Sequence, residues 1–181
     1  MPVPTPDPHR STRSRFGRPA AAFVAAAAAG GVGLYLRNPS QRWDVRTDVK
    51  IATSPDEVWR TLVDFAAYPD WNPFLVEMHG DPTEGAPLTG VSRLSGGRRF
   101  GFNSTVTQAE VGRHLAWSGG SRRLLWGRHW LALEPVDGGA ATVVSHGEEW
   151  RGLLIPLLSP FGLGEHSYVA MDEALRRRVE G

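Results

Sequence analysis

Two histidines and one glutamate in the last third of the chain could carry acid–base chemistry. His129 lies in an alternating apolar stretch before Asp137-Gly138-Gly139, and His146 and Glu148 lie in the stretch after it. A glycine-rich turn between two alternating stretches predicts a β-hairpin. Because alternate residues of a strand point to the same side, we predict that His129, His146 and Glu148 share one face of a sheet.

The glycine pair leaves two hairpin registers open. With Asp137-Gly138 as the turn, His129 lies opposite His146. With Gly138-Gly139 as the turn, the pairing moves by two residues and every side chain keeps its face. In either register the shared face is apolar at one end and polar at the other. Such a face suits a pocket in which a few polar groups orient an apolar ligand.

Three interpretations of the polar end stay open. A histidine with a pKa near neutrality could move a proton, with Glu148 as its partner. Two histidines and a carboxylate also form a facial metal-binding set, although no H-E-x-x-H or other metal spacing supports it. In the simplest interpretation His129, His146 and Glu148 satisfy one another or water as a polar plug. We predict no metal and no cofactor, and these three are the catalytic candidates if the protein is an enzyme.

Aromatic residues extend the same predicted surface. Phe100 and Phe102 share one face of a strand, and Trp150 lies just beyond Glu148. Large aromatic side chains fit the wall or the mouth of an apolar pocket. The predicted pocket-lining residues are Phe100, Phe102, Trp117, His129, Leu131, His146, Glu148 and Trp150, with His146 and Glu148 as the polar anchors.

Hydrophobic periodicity predicts the elements that position these residues. Residues 43–51 alternate between apolar and polar and predict a strand. Ser54 is predicted to be the N-cap of a helix, with Pro55 at its first position and Glu57 completing a capping box. Further strands are predicted near residues 74–79, 88–95, 98–109, 112–118, 125–135 and 140–150. A long helix is predicted over residues 165–180, with Tyr168, Met171, Leu175 and Val179 on its apolar stripe.

This order of elements predicts an α+β fold. About six to seven strands form a curved antiparallel sheet that wraps around the long C-terminal helix, which covers one face of the sheet. A curved sheet wrapped around one helix leaves a cavity between the two. The pattern therefore indicates a container for a ligand before any chemistry is assigned.

Two stretches carry a family resemblance. The first is I-A-T-S-P-D-E-V-W-R-T-L-V-D-F-A-A-Y-P-D-W-N-P-F, from Ile51 to Phe74, and the second runs from His129 to Leu158 and includes H-G-E-E-W-R-G-L-L-I-P-L-L. Together they resemble the START-like, helix-grip SRPBCC superfamily, in its polyketide cyclase/dehydrase and lipid transport branch. The resemblance covers about residues 42–180. It implies a deep, mostly apolar pocket and ligands such as lipids, sterols or polyketides, and it names no nucleophile.

The N-terminal part differs from the rest in composition. Residues 1–18 are rich in Pro, Ser, Thr and Arg and are predicted to be disordered, whereas residues 19–36 carry no charge. As a helix the uncharged segment would extend about 27 Å, close to the thickness of the hydrocarbon layer. We predict a single membrane anchor there and a linker over residues 37–41. One alternative is a cleaved signal peptide, which would give a secreted protein. The other is a non-spanning arm, which would leave the protein in the cytoplasm.

Composition excludes several functional classes. The chain has 181 residues and no cysteine, which excludes disulfides and thiol catalysis. Residues 43–181 carry a net charge of −4, which argues against a nucleic-acid partner. We therefore expect a membrane-tethered domain, residues 42–180, that binds a hydrophobic lipid or polyketide-like molecule. A cyclase or dehydratase that uses a pocket histidine and a protein-interaction module are the alternatives.

Overall fold

Seven antiparallel strands form one curled sheet in the order β1-β7-β6-β5-β4-β3-β2. The computed structural model describes residues 42–155 and 164–181. Strands β2 to β7 follow one another as hairpins, and β1 joins the far edge beside β7. The strands are β1 (Arg42–Ile51), β2 (Leu75–Gly80), β3 (Pro87–Arg93), β4 (Arg99–Glu110), β5 (His114–Ser121), β6 (Leu125–Val136) and β7 (Ala141–Arg151).

Three α-helices accompany the sheet in the part of the chain that the structure describes. Helix α1 (Pro55–Val63) and the short helix α2 (Tyr68–Trp71) lie between β1 and β2, and helix α3 (Glu165–Glu180) ends the chain. The inner face of α3 buries Tyr168, Met171 and Leu175, as its apolar stripe predicts. The α+β architecture with a long C-terminal helix is therefore confirmed in the described residues.

The predicted capping box at the start of α1 is wrong. Ser54 has the extended backbone of an N-cap, but its side chain makes no capping hydrogen bond. In a capping box the Ser54 hydroxyl would accept a hydrogen bond from the Glu57 N–H. Here that N–H donates to the Ser54 carbonyl at 3.2 Å. The Glu57 carboxylate binds Arg60 on the next turn. Pro55 and the backbone bond therefore define the helix start without side-chain caps.

The β6–β7 hairpin adopts the second of the two predicted registers. Val136 pairs with Ala141, and His129 pairs with Glu148, so the register that places His129 opposite His146 is wrong. Asp137 adopts a positive φ of 52°, and Gly138 and Gly139 follow at 69° and 91°. Because Val136–Ala141 is the last pair of the ladder, residues 137–140 form the loop, which is longer than the predicted two-residue turn. The shift of two residues preserves the predicted faces.

The N-terminal predictions lie outside the described residues. Residues 1–41, which include the predicted anchor at 19–36 and the predicted linker at 37–41, are not among them. Within residues 42–155 and 164–181, no helix has the length and apolar character needed to cross a membrane. The boundaries proposed for the N-terminal segments therefore stay predictions.

Candidate functional site

A cavity of about 360 Å³ opens beside the inner face of the sheet. Strands β4 to β7 supply most of its wall, and the residues just before β2 close one side. The wall is mainly aromatic and aliphatic. Its lining residues are Phe74, Leu75, Ser92, Leu94, Phe100, Gly101, Phe102, Asn103, Ser104, Trp117, Gly119, Gly120, Leu125, Gly127, His129, Glu148 and Trp150.

The structure brings most of the predicted pocket residues to this cavity. Those that line it are Phe100, Phe102, Trp117, His129, Glu148 and Trp150. Leu131 and His146 do not line it, and both are fully buried. The register explains their position, because Leu131 and His146 pair with each other one step deeper than the His129–Glu148 pair. The predicted anchor role of His146 is therefore not a direct contact with the cavity.

Two glycines in the wall make room for this arrangement. A Cβ atom on Gly119 would lie 2.2 Å from the Asn103 carbonyl oxygen, so only glycine fits between β4 and β5 here. Gly127 pairs with Trp150, and a Cβ atom there would come within 3.1 Å of the indole ring. The bare backbone at Gly127 therefore lets the Trp150 ring lie flat along the wall.

A carboxylate and an imidazole meet at the polar end of the cavity. Glu148 Oε2 lies 3.5 Å from His129 Nδ1, and the Tyr168 hydroxyl donates to the same carboxylate oxygen. The His129 ring stacks on Trp117 with ring centroids 4.4 Å apart and an interplanar angle of 12°. Stacking fixes the plane of the imidazole, and its Nδ1 edge faces Glu148.

Behind this pair, hydrogen bonds continue to the first strand. His129 Nε2 lies 3.0 Å from His146 Nε2, and His146 Nδ1 lies 2.6 Å from Asp172 Oδ1 on α3. The Thr47 hydroxyl on β1 donates to Asp172 Oδ2 at 2.5 Å. We call this set the buried polar chain; its members are Thr47, Asp172, His146, His129, Glu148 and Tyr168. All six are buried in the described structure.

Burial changes the proton affinity of two members of the chain. It lowers the pKa of His129 from its ordinary value, because an imidazolium there loses its hydration; Glu148 opposes this shift and His146 adds to it. Burial also raises the pKa of Tyr168 well above its ordinary value, and the charge of Glu148 adds to the effect. His129 is therefore neutral at pH 7, and Tyr168 remains a hydroxyl donor.

The shift of His129 predicts that acid destabilises the fold. Between the lowered folded pKa and the unfolded value near 6.5, the unfolded chain binds more protons, so the free energy of unfolding falls as pH drops below about 6.5. Urea denaturation at a series of pH values measures this slope. The slope should be smaller in His129→Gln and unchanged in His79→Gln, whose side chain is exposed on β2. Equal slopes in all three proteins would contradict the assignment.

The geometry does not support the facial-metal interpretation. The Nε2 atoms of His129 and His146 point at each other, and their Nδ1 atoms point at separate carboxylates. Among residues 42–155 and 164–181, no group of three His, Asp or Glu side chains is arranged to hold a metal ion. Acid–base chemistry and the polar plug are the interpretations that this geometry allows.

The predicted site residues do not include three members of the buried polar chain, which are Thr47, Asp172 and Tyr168. Thr47 lies on the inward-facing positions of β1, where an alternating apolar series contains one hydroxyl. Asp172 lies four residues after Tyr168, on the apolar stripe of α3. A carboxylate at a core position of an amphipathic helix was the available signal, because such a group needs buried donors.

Comparisons with known proteins agree with this architecture. The profile of a family described as polyketide cyclase / dehydrase and lipid transport matches residues 42–181. A search of curated protein sequences finds no match. Among solved structures, a START superfamily protein from Mycobacterium smegmatis is 18% identical with a TM-score of 0.58, and the match covers 76% of this chain and 97% of that one.

Two enzymes share the fold at similar distance. The Zhui aromatase/cyclase from Streptomyces sp. R1128 is 15% identical with a TM-score of 0.60, over 77% of this chain and 94% of that one. Norcoclaurine synthase from Thalictrum flavum, solved with dopamine and hydroxybenzaldehyde, is 12% identical with a TM-score of 0.60, over 81% and 90%. At these identities the likeness shows the fold alone.

Proposed function

The chain belongs to the family described as polyketide cyclase / dehydrase and lipid transport, and we propose that its cavity binds a hydrophobic small molecule, a lipid or a polyketide-like compound. One observation carries the proposal: an aromatic cavity of about 360 Å³ has a buried imidazole and carboxylate at one end. This is the usual composition of a ligand site, in which apolar walls supply affinity and a few polar groups supply orientation.

A dye titration tests the proposal directly. The fluorescence of 8-anilinonaphthalene-1-sulfonate rises when it enters an apolar site, and we expect saturation at one dye per chain. An uncharged apolar competitor, such as a long-chain alcohol, should displace the dye. A linear, non-saturating signal, or saturation that no apolar competitor reverses, would contradict a ligand cavity.

Acid–base catalysis of the cyclase or dehydratase type is the second candidate. It is favoured by one observation, that His129 and Glu148 both line the cavity with 3.5 Å between Nδ1 and Oε2. A neutral imidazole beside a carboxylate can accept a proton from a bound ligand. The variant His146→Ala separates the candidates: retained ligand affinity with lost turnover supports an enzyme, and equal loss of both supports a binding role.

The protein-interaction module has less support. It predicts a filled cavity and one broad apolar patch on the surface. The cavity is open, and the large apolar side chains that are exposed in the described residues are Val111, Leu124, Leu154 and Val169. Val111 and Leu124 lie in turns at opposite ends of the sheet, and Val169 lies on α3.

The membrane tether is part of the proposal and rests on the sequence alone. Residues 19–36 contain no charged residue, and a basic segment precedes them. We expect the full-length protein to stay with membranes during carbonate extraction. A chain that begins at Gln41 serves as the control and should be released. If both proteins are released alike, the anchor is wrong, and cleavage of the segment or a non-spanning arm takes its place.

A further inference from the structure

The Asp172 carboxylate determines which atoms donate and which accept along the hydrogen bonds of the buried polar chain. A carboxylate only accepts hydrogen bonds, so its two contacts require two donors. The Thr47 hydroxyl supplies one donor and His146 Nδ1 supplies the other, at 2.5 Å and 2.6 Å. His146 therefore carries its proton on Nδ1. In its neutral form, which avoids burying a further charge at a fully buried position, Nε2 holds a lone pair.

The tautomer of His146 determines the tautomer of His129. The two Nε2 atoms are 3.0 Å apart, and a hydrogen bond of that length needs one proton between them. Because His146 Nε2 is an acceptor, His129 Nε2 is the donor. A neutral His129 with its proton on Nε2 has a lone pair on Nδ1. The direction of the hydrogen bonds that begins at Asp172 thus leaves an acceptor, His129 Nδ1, on a residue of the cavity wall.

Two acceptors then face each other at the cavity. His129 Nδ1 lies 3.5 Å from Glu148 Oε2, which is too long for a normal hydrogen bond. Glu148 Oε2 already accepts the Tyr168 hydroxyl, and neither contact uses Oε1. Both residues line the cavity, so a bound molecule can reach them. We call His129 Nδ1 and the Glu148 carboxylate the acceptor pair.

We propose that the cavity selects apolar molecules that present a hydrogen-bond donor, such as a phenolic or enolic hydroxyl, to the acceptor pair. Asp172 and His146 are positioning residues that set its polarity. The inference rests on the proposed ligand-binding function. A donor satisfies buried acceptors, whereas an ether or ketone of the same shape adds a further acceptor and leaves them unpaired. Recognition of this kind rejects an analogue that lacks the donor.

Matched naphthalenes test the selection in the full-length protein. By calorimetry, 2-naphthol should bind at least about ten-fold more tightly than 2-methoxynaphthalene, which has the same ring and no donor. Glu148→Gln should remove much of this preference. Glu149→Gln should leave it unchanged, because Glu149 is the next residue along β7 and points to the opposite face. Equal affinity of the wild type for both compounds would overturn the proposal, and binding of neither would overturn the proposed function instead.

A variant that reverses the donor and acceptor roles along the buried polar chain tests the positioning role of Asp172. In Asp172→Asn the side-chain amide can donate to His146 Nδ1, which makes His146 Nε2 a donor and places a proton on His129 Nδ1. The preference for 2-naphthol should then disappear, and 2-acetonaphthone, which carries only an acceptor, should bind more tightly than to the wild type. Thr47→Val keeps Asp172 as an acceptor and should retain the preference. An unchanged preference in Asp172→Asn would overturn the positioning role.

Nitrogen-15 NMR of the wild type measures directly which nitrogen of His146 and of His129 carries the proton, without a variant. The chemical shifts of the imidazole nitrogens distinguish the two neutral tautomers. The proposal requires a protonated Nδ1 on His146 and a protonated Nε2 with a bare Nδ1 on His129. A proton on His129 Nδ1 at pH 7 would overturn it, even if Asp172→Asn does not fold.

Discussion

Ser104→Trp is expected to weaken binding of apolar ligands by about 100-fold, because the indole would occupy the cavity. Ser104 lies on β4 and its side chain lines a cavity of only about 360 Å³. A tryptophan there takes the position of the ligand against the aromatic wall. Dye titration and competition by an apolar alcohol measure the change.

The neighbouring residue provides the control. Thr105 follows Ser104 on the same strand, points to the opposite face and is exposed. Thr105→Trp adds the same side chain outside the cavity and should leave the affinity within about two-fold. If Ser104→Trp is folded by circular dichroism and binds as tightly as Thr105→Trp, the ligand does not occupy this cavity.

Asp172→Leu is expected to lower the free energy of unfolding by about 3 kcal/mol. The substitution removes the acceptor from two buried donors, His146 Nδ1–H and the Thr47 hydroxyl, and each donor left unpaired costs about 1–3 kcal/mol. For a domain of this size the loss corresponds to a fall in Tm of about 10 °C. Urea denaturation and differential scanning calorimetry measure it.

Glu173→Leu is the matched control for this loss. Glu173 is adjacent on α3, pairs with Arg176 near the surface and is part-exposed. Surface ion pairs contribute little, so the change should lie within about 0.5 kcal/mol. A similar small change in Asp172→Leu would show that the buried polar chain adds no stability.

The sequence predicts the elements of this fold closely, because their signals are local. Alternation over residues 43–51 matches β1, and the apolar stripe from Tyr168 to Val179 matches the helix at Glu165–Glu180. The local pattern predicts a capping box that does not form, because the backbone N–H of Glu57 donates to the Ser54 carbonyl instead. Local competition of this kind decides details that residue spacing leaves open.

The site is harder to predict, because its contacts join distant parts of the chain. The faces of His129 and Glu148 follow from alternation, but the hairpin register depends on the positive φ of Asp137. The Thr47–Asp172 bond spans 125 residues and needs the folded position of α3 against β1. Periodicity places Asp172 on the buried stripe, and only the tertiary structure shows which donors it accepts.

Native mass spectrometry of the protein purified from its own host shows whether the cavity carries a hydrophobic ligand. We expect a folded protein with one additional mass, and organic extraction of that complex should yield a hydrophobic molecule with a hydroxyl or another donor. The wild type should carry this mass and Ser104→Trp should not. A wild-type protein that is always empty, and that takes up no apolar compound from a host lipid extract, would contradict the ligand-binding account.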